Sequence, residues 1–133
     1  MGLLWERIDM SSEDVSEVLC RWLSSLFPTS IIRSEEDRIE VYEVEDGYSI
    51  GYRMAYCIMT KCGLELTDCY RNLGQCIVHC IENGFVPTYI AVPEDYPHLR
   101  RLEKILGVIN LPIGLIAISP EGQVRVVIKP HVP

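Results

Sequence analysis

The pair Asp46-Gly47 separates two strand-forming runs, Arg38 to Glu45 and Tyr48 to Thr60, and constrains the fold more than any other feature. Asp-Gly tolerates the backbone of a tight hairpin turn, so the two runs are expected to pair antiparallel. The second half of the return strand is apolar on both faces, which predicts a central place in a sheet covered on both sides. Upstream, Ile31-Ile32 is set off by the charged turn Ser34-Glu35-Glu36-Asp37 and reads as a further strand. A three-strand meander results.

Helical patterns bracket this meander. Ser11 to Phe27 reads as a helix, with Ser12 as its cap, Glu13 and Asp14 at the positive end of the dipole, and Pro28 as the stop. Val15, Val18, Leu19, Trp22, Leu23 and Leu26 recur at helical spacing. A second helix is expected from Leu66 to Asn83, capped by Thr67 and ended by Gly84 in the left-handed conformation. The strand that follows, Phe85 to Val92, then requires a crossover and a parallel neighbour. A third helix, from Asp95 or Tyr96 to Gly107, precedes a closing hairpin of Ile113–Ile118 and Gln123–Lys129 across Pro120-Glu121-Gly122. The order is α-β-β-β-α-β-α-β-β, an α/β domain with a central mixed sheet flanked by helices. With no repeat or linker in view, residues 12–133 read as one domain preceded by an arm of residues 1–11.

Composition narrows the class. A chain of 133 residues, 48% hydrophobic and 23% charged, builds one packed core and is not a disordered chain. No apolar run approaches the roughly 18 residues needed to span a bilayer. The start Met1-Gly2-Leu3-Leu4-Trp5-Glu6-Arg7 lacks a basic region followed by an apolar stretch, so no signal peptide is read and a cytoplasmic location is expected. Six cysteines without such a leader argue against a secreted disulfide framework. Three Asn and two Gln suit a thermophilic source, where a disulfide at Cys57 or Cys62 stays open. Cys69, Cys76 and Cys80 fall with Leu73 and Ile77 on one apolar helix face and read as small buried hydrophobes rather than metal ligands. A net charge of −7 argues against strong autonomous binding to duplex nucleic acid, though not against a local basic groove or a basic partner subunit.

Several short runs carry a resemblance. Asn72-Leu73-Gly74-Gln75-Cys76 lies in the second helix, followed by Tyr89-Ile90-Ala91-Val92-Pro93-Glu94, Gly114-Leu115-Ile116-Ala117-Ile118 and the turn Glu121-Gly122. Together with the element order, these resemble the PD-(D/E)XK, or restriction-endonuclease-like, nuclease superfamily from residue 12 onward. The resemblance implies carboxylates on adjacent strands holding Mg²⁺ or Mn²⁺, with a lysine two residues after the second carboxylate on the same strand face. Lys61 stands where that lysine falls, but Met59 stands where the second carboxylate is expected. The resemblance further makes Asp46 the first metal ligand, Glu17 an accessory acid and Gln75 the glutamine of the second helix. Glu43 and Glu45 share a strand face and are candidates to replace the missing ligand.

Each of these residues has a plainer reading. Asp46 is also the first residue of an Asp-Gly turn. Glu43 and Glu45 also suit an exposed acidic edge that discourages pairing with another chain. Lys61 also suits the solvated end of a buried strand. Asp68, Arg71, Asn72, Gln75 and His79 form a polar stripe that is either a solvated face or a groove lining in which Arg71 meets a phosphate. The expected function is a nuclease-like domain linked to nucleic-acid processing, weak or inactive as a metal-dependent phosphodiesterase. The alternative is a non-catalytic scaffold or protein-interaction subunit. In that case Leu3, Leu4, Trp5 and Ile8 form an apolar arm that docks on a protein partner or a second copy, or else folds back over the sheet.

Overall fold

The computed structural model describes residues 4–35, 38–45, 49–59 and 65–131, with the backbone alone for residues 12, 45 and 49–59. A short 3-10 helix, Leu4–Ile8, precedes α1 (Ser12–Leu26). Then come β1 (Ser30–Ser34), β2 (Arg38–Glu45), β3 (Ser49–Met59) and α2 (Leu66–Glu82). β4 (Thr88–Pro93), α3 (Leu99–Val108), β5 (Ile113–Ile118) and β6 (Val124–Ile128) complete the chain. The six strands form one sheet in sequence order, β1 to β6. β1, β2 and β3 pair antiparallel, β3, β4 and β5 parallel, and β5 and β6 antiparallel. The mixed α/β order read from the sequence is therefore the order observed. The Asp46-Gly47 turn lies outside the described residues, but Glu45 pairs with Ser49 beside it.

Connections explain the two layers of helices. A parallel partner requires a crossover, and α2 and α3 supply the two that join β3 to β4 and β4 to β5. α1 covers the opposite face, where Trp22 meets the ring of Tyr89 edge-on at 5.2 Å and Ser16 shares a hydrogen bond with Ser34. On the other face, α3 and Arg125 of β6 line a common groove. Covered on both sides, β4 and β5 are buried at every position. Val15, Leu19 and Leu23 of α1 are fully buried, each contributing about 1.5–3 kcal/mol by leaving water. Leu26, read as part of that stripe, is exposed at the last residue of α1.

Helix ends differ from the sequence reading in detail. Ser11, not Ser12, caps α1: its hydroxyl accepts from the Asp14 N–H while the Asp14 carboxylate accepts from the Ser11 N–H. At α2, Glu65 rather than Thr67 takes the cap position, with Asp68 returning the bond. Gly84 ends α2 as expected, at φ 78°. The Phe85 N–H reaches Cys80 O and the Gly84 N–H reaches Ile81 O, a Schellman closure. α3 begins at Leu99, because residues 94–98 are spent on turns around Pro97.

The N-terminal arm also needs correction. Leu4, Trp5 and Ile8 are buried in the same core as β4 and β5, and Arg7 pairs with Asp95 at 3.1 Å. The described part of the arm folds back on its own domain, so Leu4, Trp5 and Ile8 are not free to dock on a partner or a second copy, and Leu3 lies outside the described residues.

Candidate functional site

Side chains of β2 alternate between the two faces of the sheet, in unbroken register with β1 and with register shifts against β3 around Tyr42. Ile39 and Val41 are fully buried beneath α1, and Arg38, Glu40 and Tyr42 share the opposite face. Glu40 is only 5% exposed. Its Oε2 accepts from Arg38 Nε at 3.1 Å and its Oε1 accepts from Tyr42 Oη at 2.9 Å. A buried carboxylate costs several kcal/mol unless it is paired and hydrogen-bonded, and this trio supplies both a cation and a hydroxyl. Across the sheet, Glu40 stands opposite Arg33 of β1 and Tyr56 of β3. The sequence reading missed Glu40. The run Arg38-Ile39-Glu40-Val41-Tyr42 carries the signal, because its alternation gathers three polar groups on one face of a strand.

Of the residues picked out from the sequence, those that are described are scattered. Asp46 and Lys61 lie outside the described residues. Glu45 pairs with Ser49 at the start of β3, about 30 Å along the strand from Met59 at its end. Glu43 is exposed and belongs to the alternate set of Ile39 and Val41, on the sheet face away from Glu40. Neither acid is thus placed to replace a ligand beside the end of β3. Glu17 is exposed on α1, across the sheet from Glu40, in a pair with Arg21 at 3.4 Å. Gln75 and Arg71 are exposed on α2. The polar stripe is interrupted, since Asn72 is buried.

A catalytic Mg²⁺ or Mn²⁺ takes several oxygen ligands at close range. Glu40 already gives both oxygens to protein donors, and among the described residues no group of three or more His, Cys, Asp or Glu is gathered to hold a metal. The described residues do not fit such an ion. Cys20, Cys69, Cys76 and Cys80 are free thiols. Burial pushes the Cys76 thiol up to about 12, with Cys80 adding to the effect. The thiolate needed for metal binding or nucleophilic attack is suppressed there.

Charge is distributed unevenly along the chain. Residues 96–133 hold five of the twelve basic side chains and two of the nineteen acidic ones, a local balance of +3 against −10 over residues 1–95. Arg100, Arg101 and Lys104 lie on α3, with Arg125 on β6 and Lys129 just after it, and all five are exposed. Arg100, Lys104 and Arg125 line one groove, together with Leu99, Glu103 and Val127. Among the described residues none of the five forms an ion pair, although Arg101 donates to Tyr70 Oη at 3.1 Å. Whole-chain net charge conceals this corner. Counting charge by segment reveals it.

Among the described residues no helix is long and apolar enough to cross a membrane. No family model matches the chain, and no curated protein or solved structure matches it significantly.

Proposed function

We propose that this chain is a nuclease-like α/β domain that has lost phosphodiester cleavage and binds nucleic acid through the basic groove between α3 and β6. The segregation of charge carries this reading. Three cations that form no ion pair among the described residues, Arg100 and Lys104 one helical turn apart on α3 and Arg125 beside them on β6, offer a phosphate backbone several contacts along one groove. The acidic remainder does not cancel this attraction, because the screening length is about 8 Å at physiological ionic strength. The absence of cleavage is supported separately, by Met59 at the expected acid position and by the full engagement of the Glu40 carboxylate.

Fluorescence anisotropy with labelled single-stranded and duplex oligonucleotides, titrated over a range of salt, tests the proposal. Binding is expected at low salt, falling steeply as salt rises through counterion release. Replacing Arg100, Lys104 and Arg125 together by Glu should abolish it and leave the fold intact, since all three are exposed. No binding at low salt, or binding unchanged in the triple variant, would overturn the assignment. Cleavage in Mn²⁺ that Glu40→Gln abolishes would restore the catalytic reading with Glu40 as a metal ligand.

A further inference from the structure

α2 carries a second apolar face besides the one that enters the core. Cys69, Leu73, Cys76 and Cys80 point inward and are buried. Tyr70, Val78 and Ile81 are exposed on the outer side, and Phe85 continues their line just past the helix end. These four make up most of the seven large hydrophobic side chains exposed among the described residues, and the fractions are high, from 44% for Tyr70 to 53% for Phe85. With Gly74 between Tyr70 and Val78, they fall three or four residues apart, which aligns them on one helix face.

Three features of this face are unexplained by packing among the described residues. Gly74 sits mid-helix with no atom of the described residues within 4 Å of where a Cβ would be, so nothing among them requires its lack of a side chain. It leaves a notch in the ridge. Arg71 and Glu82 border the stripe on the same side, and among the described residues neither forms an ion pair. Phe85 is held outward at φ 62°, a conformation that bulky residues rarely adopt.

We propose that α2 is a self-association face, on which two copies pack their α2 helices antiparallel about a two-fold axis near residue 76. The first two features specify the same axis. The midpoint of Gly74 and Val78 is residue 76, and the midpoint of Arg71 and Glu82 falls half a residue later. In that register Val78 of each copy enters the Gly74 notch of the other, while Arg71 of each copy faces Glu82 of the other. An isologous contact uses every complementary pair twice. Antiparallel alignment also sets the two helix dipoles head to tail. A partner of unrelated sequence has no reason to match this spacing, whereas a second copy matches it by construction. The inference is independent of the nucleic-acid reading.

Sedimentation equilibrium of the full chain, over a wide range of concentration, tests it. The average mass should rise from the 15.2 kDa monomer toward twice that value. Arg71→Glu sets like charges across the axis and should weaken association by about tenfold or more. Adding Glu82→Arg to that variant reverses both partners and should restore dimer formation. Gly74→Leu fills the notch and should leave a folded monomer, as checked by circular dichroism. A wild type that stays monomeric at millimolar concentration would overturn the proposal. So would a dimer indifferent to Arg71→Glu and Gly74→Leu, or a charge reversal that fails to restore association.

Discussion

Arg38 Nε lies 3.1 Å from Glu40 Oε2 on one face of β2, and the pair is asymmetric: the carboxylate is almost fully buried and the guanidinium is about one-third exposed. Removing this cation takes a charge-assisted partner from a carboxylate that water barely reaches. Arg38→Met should therefore destabilise the fold by about 1–3 kcal/mol, less than for a fully buried pair because the arginine is partly solvated. Glu40→Gln keeps the shape and an acceptor for Tyr42, so it should cost less. The double variant should be more stable than the sum of the two losses implies. Urea unfolding of the four proteins measures this coupling, and a value near zero would mean that Arg38 does not stabilise Glu40.

Local pattern made the order of elements legible in the sequence, and contacts between distant segments decided what stayed hidden. The period of α1 and the glycine after α2 are local signals that the fold bears out, and β2 and β3 pair antiparallel on either side of the Asp46-Gly47 pair. Choosing Ser11 over Ser12 as the α1 cap depends on a single extended residue, at φ −79° and ψ 165°, which two adjacent serines do not distinguish. Nothing local to Glu40 in the sequence marks it as buried, because its burial is created by the sheet around it. The resemblance points instead to the acids nearest the hairpin, although the register sets Glu45 a full strand length from Met59. The arm was ambiguous for the same reason: Trp5 reads as a docking residue until β4 is placed beneath it.

That placement makes the arm part of the core. Trp5→Ala should cost about 3–5 kcal/mol, the range for deleting a large buried aromatic. Deleting residues 1–10 should lower Tm further, since Leu4 and Ile8 leave the same cluster. Thermal unfolding by circular dichroism reads both. A truncated chain as stable as the full one would show that the arm does not contribute to the core.

Two glycines should respond to alanine in opposite directions. At Gly114 of β5 a Cβ would lie 2.7 Å from Ile128 O and from Pro130 Cδ, so the β5–β6 hairpin must spread to admit it. Gly114→Ala should cost about 1–3 kcal/mol. At Gly74 the Cβ enters open space, and the higher helix propensity of alanine should stabilise the monomer by about 1 kcal/mol. Measured by urea unfolding at concentrations low enough to exclude association, the two variants should move to either side of wild type. A destabilised Gly74→Ala monomer would mean that the notch is needed within the chain itself.

Buried thiols should make the fold sensitive to alkali. Burial raises Cys76 from an ordinary value of 9.0 to about 12, and burial also raises Cys80, opposed by a hydrogen bond with Thr88. Below pH 9 the Cys76 thiol is neutral in both folded and unfolded chains, and its contribution is fully present. Between about pH 9 and 12 the unfolded chain releases the proton while the folded chain retains it, so the unfolded state binds fewer protons and stability falls as pH rises. Cys76→Ala should flatten this decline by up to one proton per molecule unfolded, at the cost of a small cavity. Native protein at pH 8 should leave Cys76 unalkylated by iodoacetamide, and the same protein in urea should react, as read by mass spectrometry. Rapid native labelling of Cys76 would mean that the face of α2 against the sheet opens far more readily than its burial implies.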